Sequence, residues 1–146
     1  MLIDERTTFA WETTIPTATG AAKFGEVIDL TAEDTNQGEG YPLYLVILIT
    51  TAMTSSGSAT IKFELVTDEA DDLDTEDVVL LETPQADFDD FAVGDFVIVV
   101  PIPKADYKQY LGVRSVVGTA ALTAGAATAF ITRDPPAWRA YPEGNN

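Results

Sequence analysis

Residues Leu43 to Thr51, LYLVILITT, form an unbroken run of apolar and β-branched side chains. The run is too short to span a bilayer and rich in the types that suit a pleated, buried surface, so it predicts a central β-strand. Beyond it, Ile61, Phe63 and Leu65 alternate with Thr60, Lys62 and Glu64. A period of two predicts a second strand with one face in the core and the other in water. Thr54, Ser55, Ser56, Gly57 and Ser58 lie between the two and supply turn chemistry, which predicts an antiparallel hairpin. With Ile47 and Ile49 facing a core, each contributes roughly 1.5–3 kcal/mol. A charge at either position would threaten a domain whose net stability is only about 5–15 kcal/mol.

The rest of the chain has the same texture. Met1 to Gly20 mixes Phe9, Trp11 and Ile15 with many threonines and reaches Pro16, which reads as an extended arm or an edge strand broken at the proline. Trp11 is expected as a local core anchor, with an interface aromatic as the alternative. Ala21 to Leu30 predicts a short strand, and Thr31 to Gly40 a polar loop. Asp68 to Asp77, DEADDLDTED, predicts a solvated acidic loop. Val78 to Leu81 can return to a sheet before Pro84, and Asp87 to Phe91 predicts a second acidic loop pinned by Phe88 and Phe91. Phe96 to Val100, FVIVV, is a further strand whose ladder should stop or reach an edge at Pro101 and Pro103. Tyr110 to Val117 places Leu111, Val113 and Val117 on one face and Arg114 on the other, with a bulge or a close backbone approach expected at Gly112. Ala127 to Thr132 gives the last strand, and the proline-rich tail from Arg133 to Asn146 can form neither a regular helix nor a central strand. Several short strands and no amphipathic helix predict one all-β domain over residues 1–146, a sandwich or barrel of jelly-roll type, with extended arms at about 1–20 and 133–146.

Charge and missing residue types narrow the function. Of the 146 residues 24 are acidic and 8 basic, a formal net charge of −16, and the lysines and arginines are scattered. A phosphate-binding surface needs them clustered, so nucleic acid is not an expected partner. The charge serves solubility, with attraction to a basic partner surface as the sharper alternative. Without cysteine there are no disulfides, thiolate metal sites or cysteine nucleophiles. The absence of histidine removes Ser-His-Asp hydrolysis and histidine-ligated zinc. Asp4 and Glu5 come before any apolar run of signal-peptide length, so neither a cleaved N-terminal signal nor a membrane span is expected.

Two acid-based chemistries deserve weighing. Asp72, Asp74, Glu76 and Asp77 begin like a calcium loop, but the glycine of its sixth position is missing and Thr83 stands where the closing glutamate belongs. A solvated loop is the stronger reading. Paired carboxylates can hydrolyse glycosides, yet with so many acids some pair is always available, and the aromatics are dispersed along the chain. No phosphate loop or dinucleotide fingerprint is present, so the chain is expected to be neither an enzyme nor a carrier of a cofactor or metal.

The segments MLIDER, GEVIDL, YPLYLVI, YLGV, ALTAG, DP and AYP, in this order and spacing, resemble the capsid cement (decoration) proteins of tailed bacteriophages typified by the Bbp16 family. The likeness runs over most of the chain. It implies a jelly-roll-like domain on the outer surface of the virion capsid, made in the bacterial host cytoplasm and bound to a major capsid protein of HK97-type fold. It also implies self-association as a homodimer or other small homo-oligomer, and it brings no catalytic residues. On that resemblance Phe9, Trp11, Trp138, Arg139 and Tyr141 are the candidate contacts to capsid or sister subunits. A receptor- or carbohydrate-binding β domain of a phage tail is the alternative.

Overall fold

The structure, a computed structural model, describes residues 5–31 and 42–135. Among the described residues nine strands follow one another: β1 (Thr8–Thr14), β2 (Gly20–Asp29), β3 (Tyr44–Ser55), β4 (Thr60–Asp68), β5 (Val78–Glu82), β6 (Ala86–Asp87), β7 (Phe96–Pro101), β8 (Tyr110–Gly118) and β9 (Leu122–Thr132). Short 3-10 turns at Glu5–Thr7 and Phe88–Asp90 are the only helical elements among the described residues. One sheet has the order β1-β9-β3-β7 and the other β2-β8-β4-β5, with the two-residue β6 added to β4. All the pairings are antiparallel. Read along the chain, this order is two interlocked Greek keys, the jelly roll that the strand pattern predicts.

The core lies between the sheets. Phe24, Ile61, Phe63, Leu65, Leu111 and Val113 project from one side to meet Phe9, Leu45, Ile47, Ile49, Ala127 and Ile131 from the other. Phe24 and Phe63 pack ring to ring at 5.8 Å in a tilted arrangement, a geometry that aromatic quadrupoles favour.

Three expectations need correction. The apolar run and the alternating strand do not form a hairpin: β3 pairs with β7 and β9, whereas β4 pairs with β5, β6 and β8. Residues 56–59 carry the chain from one sheet to the other, so Ile47 and Ile61 face the core from opposite sheets instead of lying side by side. The serines and the glycine suit either connection; two interior strands both needing partners on each side decide for the crossing. The second correction touches only the extended arm, one of the two readings of the N-terminal segment: the other holds, because Thr8–Thr14 is an edge strand paired to β9 and ended before Pro16. The third concerns β4, whose outer face is not in water: Glu64 and Val66 are buried there.

Other expectations match. Phe88 and Phe91 pack against the core, and β7 is an edge strand ending at Pro101. The strand expected from Ala127 already begins at Leu122. At Gly112 a side chain would meet Leu73 at 2.6 Å and Val27 at 2.9 Å, so the close approach is real.

Candidate functional site

At the edge formed by β1 and β2 both strands are irregular. In β1, Ala10 pairs with Ala129 and Thr13 with Ala127, so Trp11 and Glu12 together oppose Thr128. Such a bulge bends a strand and re-aims its side chains. Glu12 adopts a left-handed backbone, φ 45°, which costs a residue with a Cβ about 1–2 kcal/mol. Its amide donates to Thr128 Oγ1 at 2.9 Å, which holds the bulge in place. Trp11 is thereby turned outward and is 58% exposed. The core anchor expected there is absent: Phe9, 1% exposed, fills that role two residues earlier.

β2 bulges in turn. Phe24 pairs with Val113 and Val27 with Gly112, which leaves Gly25 and Glu26 without opposite residues. Gly25 has φ 79° and sits so close to β1 that an added Cβ would lie 2.1 Å from the Phe9 carbonyl oxygen. Between the two bulged strands opens a groove of about 560 Å³, with Trp11 and Thr13 on one wall and Glu26, Val27 and Asp29 on the other. Asp29 holds its own strand end by accepting from the Thr31 amide at 2.9 Å and the Thr31 hydroxyl at 2.7 Å. An aromatic edge, apolar side chains and carboxylates equip this groove to bind a ligand segment. Of the candidate contacts, Trp11 is at the groove and Phe9 is beneath it, its ring spent on the core, so Phe9 is not available as a surface contact. Trp138, Arg139 and Tyr141 lie outside the described residues. The sequence signal for the bulges is Gly25, a glycine inside a strand pattern.

A second cluster lies on the outer face of the β2-β8-β4-β5 sheet. Arg114 donates from Nε and Nη2 to Glu64 Oε2 at 2.9 and 2.8 Å and from Nη1 to the Leu73 carbonyl at 3.1 Å; its Nη2 also lies 2.9 Å from Asp77. Burial works against the Arg114 charge, but the Glu64 and Asp77 carboxylates outweigh it and raise its pKa. Lys62 bridges Glu64 and Glu82 at 3.0 and 2.6 Å. The acidic segment after β4 is the solvated loop expected, with Glu69, Asp71, Asp72, Asp74 and Glu76 exposed, and it is pinned at two points that its charges do not reveal. Leu73 is fully buried over Gly112, and the Asp68 carboxylate accepts from the amides of Ala70, Thr75 and Glu76. Burial pushes the Asp68 pKa up, and these amides more than reverse it, leaving it below the ordinary value. The carboxylates of the cluster turn to amides and cations of this chain. Among the described residues no three acidic side chains gather as a metal site.

Comparison with known families matches residues 9–131 to Bbp16. The chain belongs to the Bbp16 family. The matched span of this Bbp16-family chain contains both bulges, at Trp11–Glu12 and Gly25–Glu26. Among curated proteins none matches.

Proposed function

We propose that this Bbp16-family protein is a phage capsid cement protein, which binds the outside of an assembled head and stabilises contacts between major capsid subunits. The observation that carries the reading is Trp11, held outward by a strained bulge at the rim of a groove. Strain kept next to an exposed aromatic is what a binding site retains at a cost in stability. Cement works by repeating a modest contact many times over a shell, so stiffness and exposed anchors matter more than a reactive centre. On this reading the protein is not an enzyme, works without cofactor or nucleic acid, and acts as a homodimer or other small homo-oligomer on the outer capsid surface after synthesis in the host cytoplasm. The groove meets the capsid protein, with residues 133–146, including Trp138, Arg139 and Tyr141, as a further contact.

The test is binding to purified heads stripped of this protein. Trp11→Ala is expected to weaken each contact by about 2 kcal/mol, roughly thirtyfold, as a central anchor would, with the thermal midpoint little changed. Binding equal to the wild type would remove Trp11 from the contact. A tryptophan beside a groove also suits the carbohydrate-binding alternative. Glycan-array binding without head binding would decide for it.

A further inference from the structure

The sheets end on their other side at β5 and β7, opposite to the Trp11 groove. Residues 68–101, which contain both edge strands, hold 12 of the 24 acidic residues and neither lysine nor arginine. Basic side chains that reach this region from elsewhere are engaged: Lys62 with Glu64 and Glu82, Arg114 with Glu64 and Asp77, Lys108 with Glu76. Lys104, beyond Pro103, stands outside these pairs.

Within this acidic frame the strands themselves carry almost no charge. β7 reads FVIVVP and β5 VVLLE. Among the described residues β7 pairs only with β3 and β5 only with β4, so each presents an open row of backbone donors and acceptors. Proteins ordinarily blunt such edges with an inward-pointing lysine, a central proline or a bulge that turns the strand away. β7 has one such irregularity near its start, where Phe96 pairs with Leu48 and Ile98 with Ile47 so that Val97 is extra, and β5 has one at Leu80. From Ile98 to Val100 there is no charge, proline or bulge before the terminal Pro101. The core is also less sealed here: Leu80, Leu81, Phe88, Phe91, Val97 and Ile98 pack against it yet remain only half-buried. Phe96 is 44% exposed and Val93 57%.

We infer that the β5–β7 edge is a second docking surface, on which an extended segment of a partner protein, with lysine or arginine alternating with apolar residues, adds a strand beside β7. Backbone pairing supplies the register, apolar side chains cover Phe96 and the half-buried residues, and the basic side chains meet the carboxylate frame. Complementary charge is what selects this occupant over a second copy, whose own carboxylates would face the same frame. The inference rests on the cement reading only for where the partner is found. With one docking edge at each end of the sheets, a single molecule can join two neighbours.

The experiment uses the full chain and two acetylated, amidated heptapeptides, one alternating lysine and valine and one with its central valine replaced by proline, at physiological ionic strength. Both carry the same charge, and only the first can pair as a strand. The alternating peptide is expected to bind at least about tenfold more tightly, with chemical-shift changes and slowed hydrogen exchange at Phe96–Val100. Val99→Lys, at a position outside the inter-sheet core, is expected to remove that preference while the thermal midpoint stays unchanged. Equal binding of the two peptides, changes confined to the Asp71–Asp77 loop, or self-association through β7 in place of peptide binding would each overturn the inference. So would stripped heads that bind Val99→Lys as tightly as wild type. Wild-type protein that fails to bind heads, while the peptide result stands, overturns the cement reading instead.

Discussion

Single residues decide where this fold is least tolerant. Gly25→Ala places a methyl group against the Phe9 carbonyl in a left-handed backbone. It is expected to cost at least about 2 kcal/mol, read as a lower urea midpoint. Arg114→Ala leaves Glu64 buried with half its partners gone, an expected loss of about 3–5 kcal/mol. Ser115 tests the opposite case, because its hydroxyl is buried among core residues and finds no partner among the described residues. Ser115→Ala is therefore expected to be neutral or stabilising by about 1 kcal/mol in the same assay. Asp68 sets a pH limit. Its folded pKa lies below the ordinary 3.8, so its contribution is complete above that value and disappears as pH falls through the lowered one. The stability gap between wild type and Asp68→Asn is expected to narrow as pH drops from about 5 to about 2.

At the scale of elements, periodicity located nearly every strand and misplaced one connection. The alternation of β4 and β8 put Ile61, Phe63, Leu111 and Val113 in the core correctly, because a period of two is a local property that survives any pairing. Whether residues 56–59 turn back or cross over depends on β8 and β9, some fifty residues and more away, and no local signal contains that. What pins the acidic loop after β4 was hidden for a similar reason. Its charges point to water and are found there, whereas the residues that anchor it are Leu73 and the distant Arg114, which meet only once the sheet exists. Leu73→Ala is accordingly expected to cost about 2–5 kcal/mol and to raise hydrogen exchange at Thr75 and Glu76. At the candidate site the sequence singled out Trp11 but assigned it to the wrong environment. The two bulges that expose it depend on cross-strand register, of which Gly25 was the one visible trace.

For the whole molecule, a net charge of −16 on one small domain opposes its own compactness. Adding salt from about 0.01 to about 0.5 M is expected to raise the thermal midpoint. The same addition should weaken attachment to a basic surface, so the two measurements should move in opposite directions. The strand order has a further consequence for synthesis. β8 and β9 are interior to their sheets, each lying between two strands made earlier. A nascent chain still short of Tyr110 offers a ribosome-bound intermediate in which β1 and β2 have no neighbour within their own sheets, while its most apolar run is already outside the tunnel. Protease digestion of stalled chains is therefore expected to show no resistant fragment until the final strands emerge, and chaperone occupancy should peak just before that point.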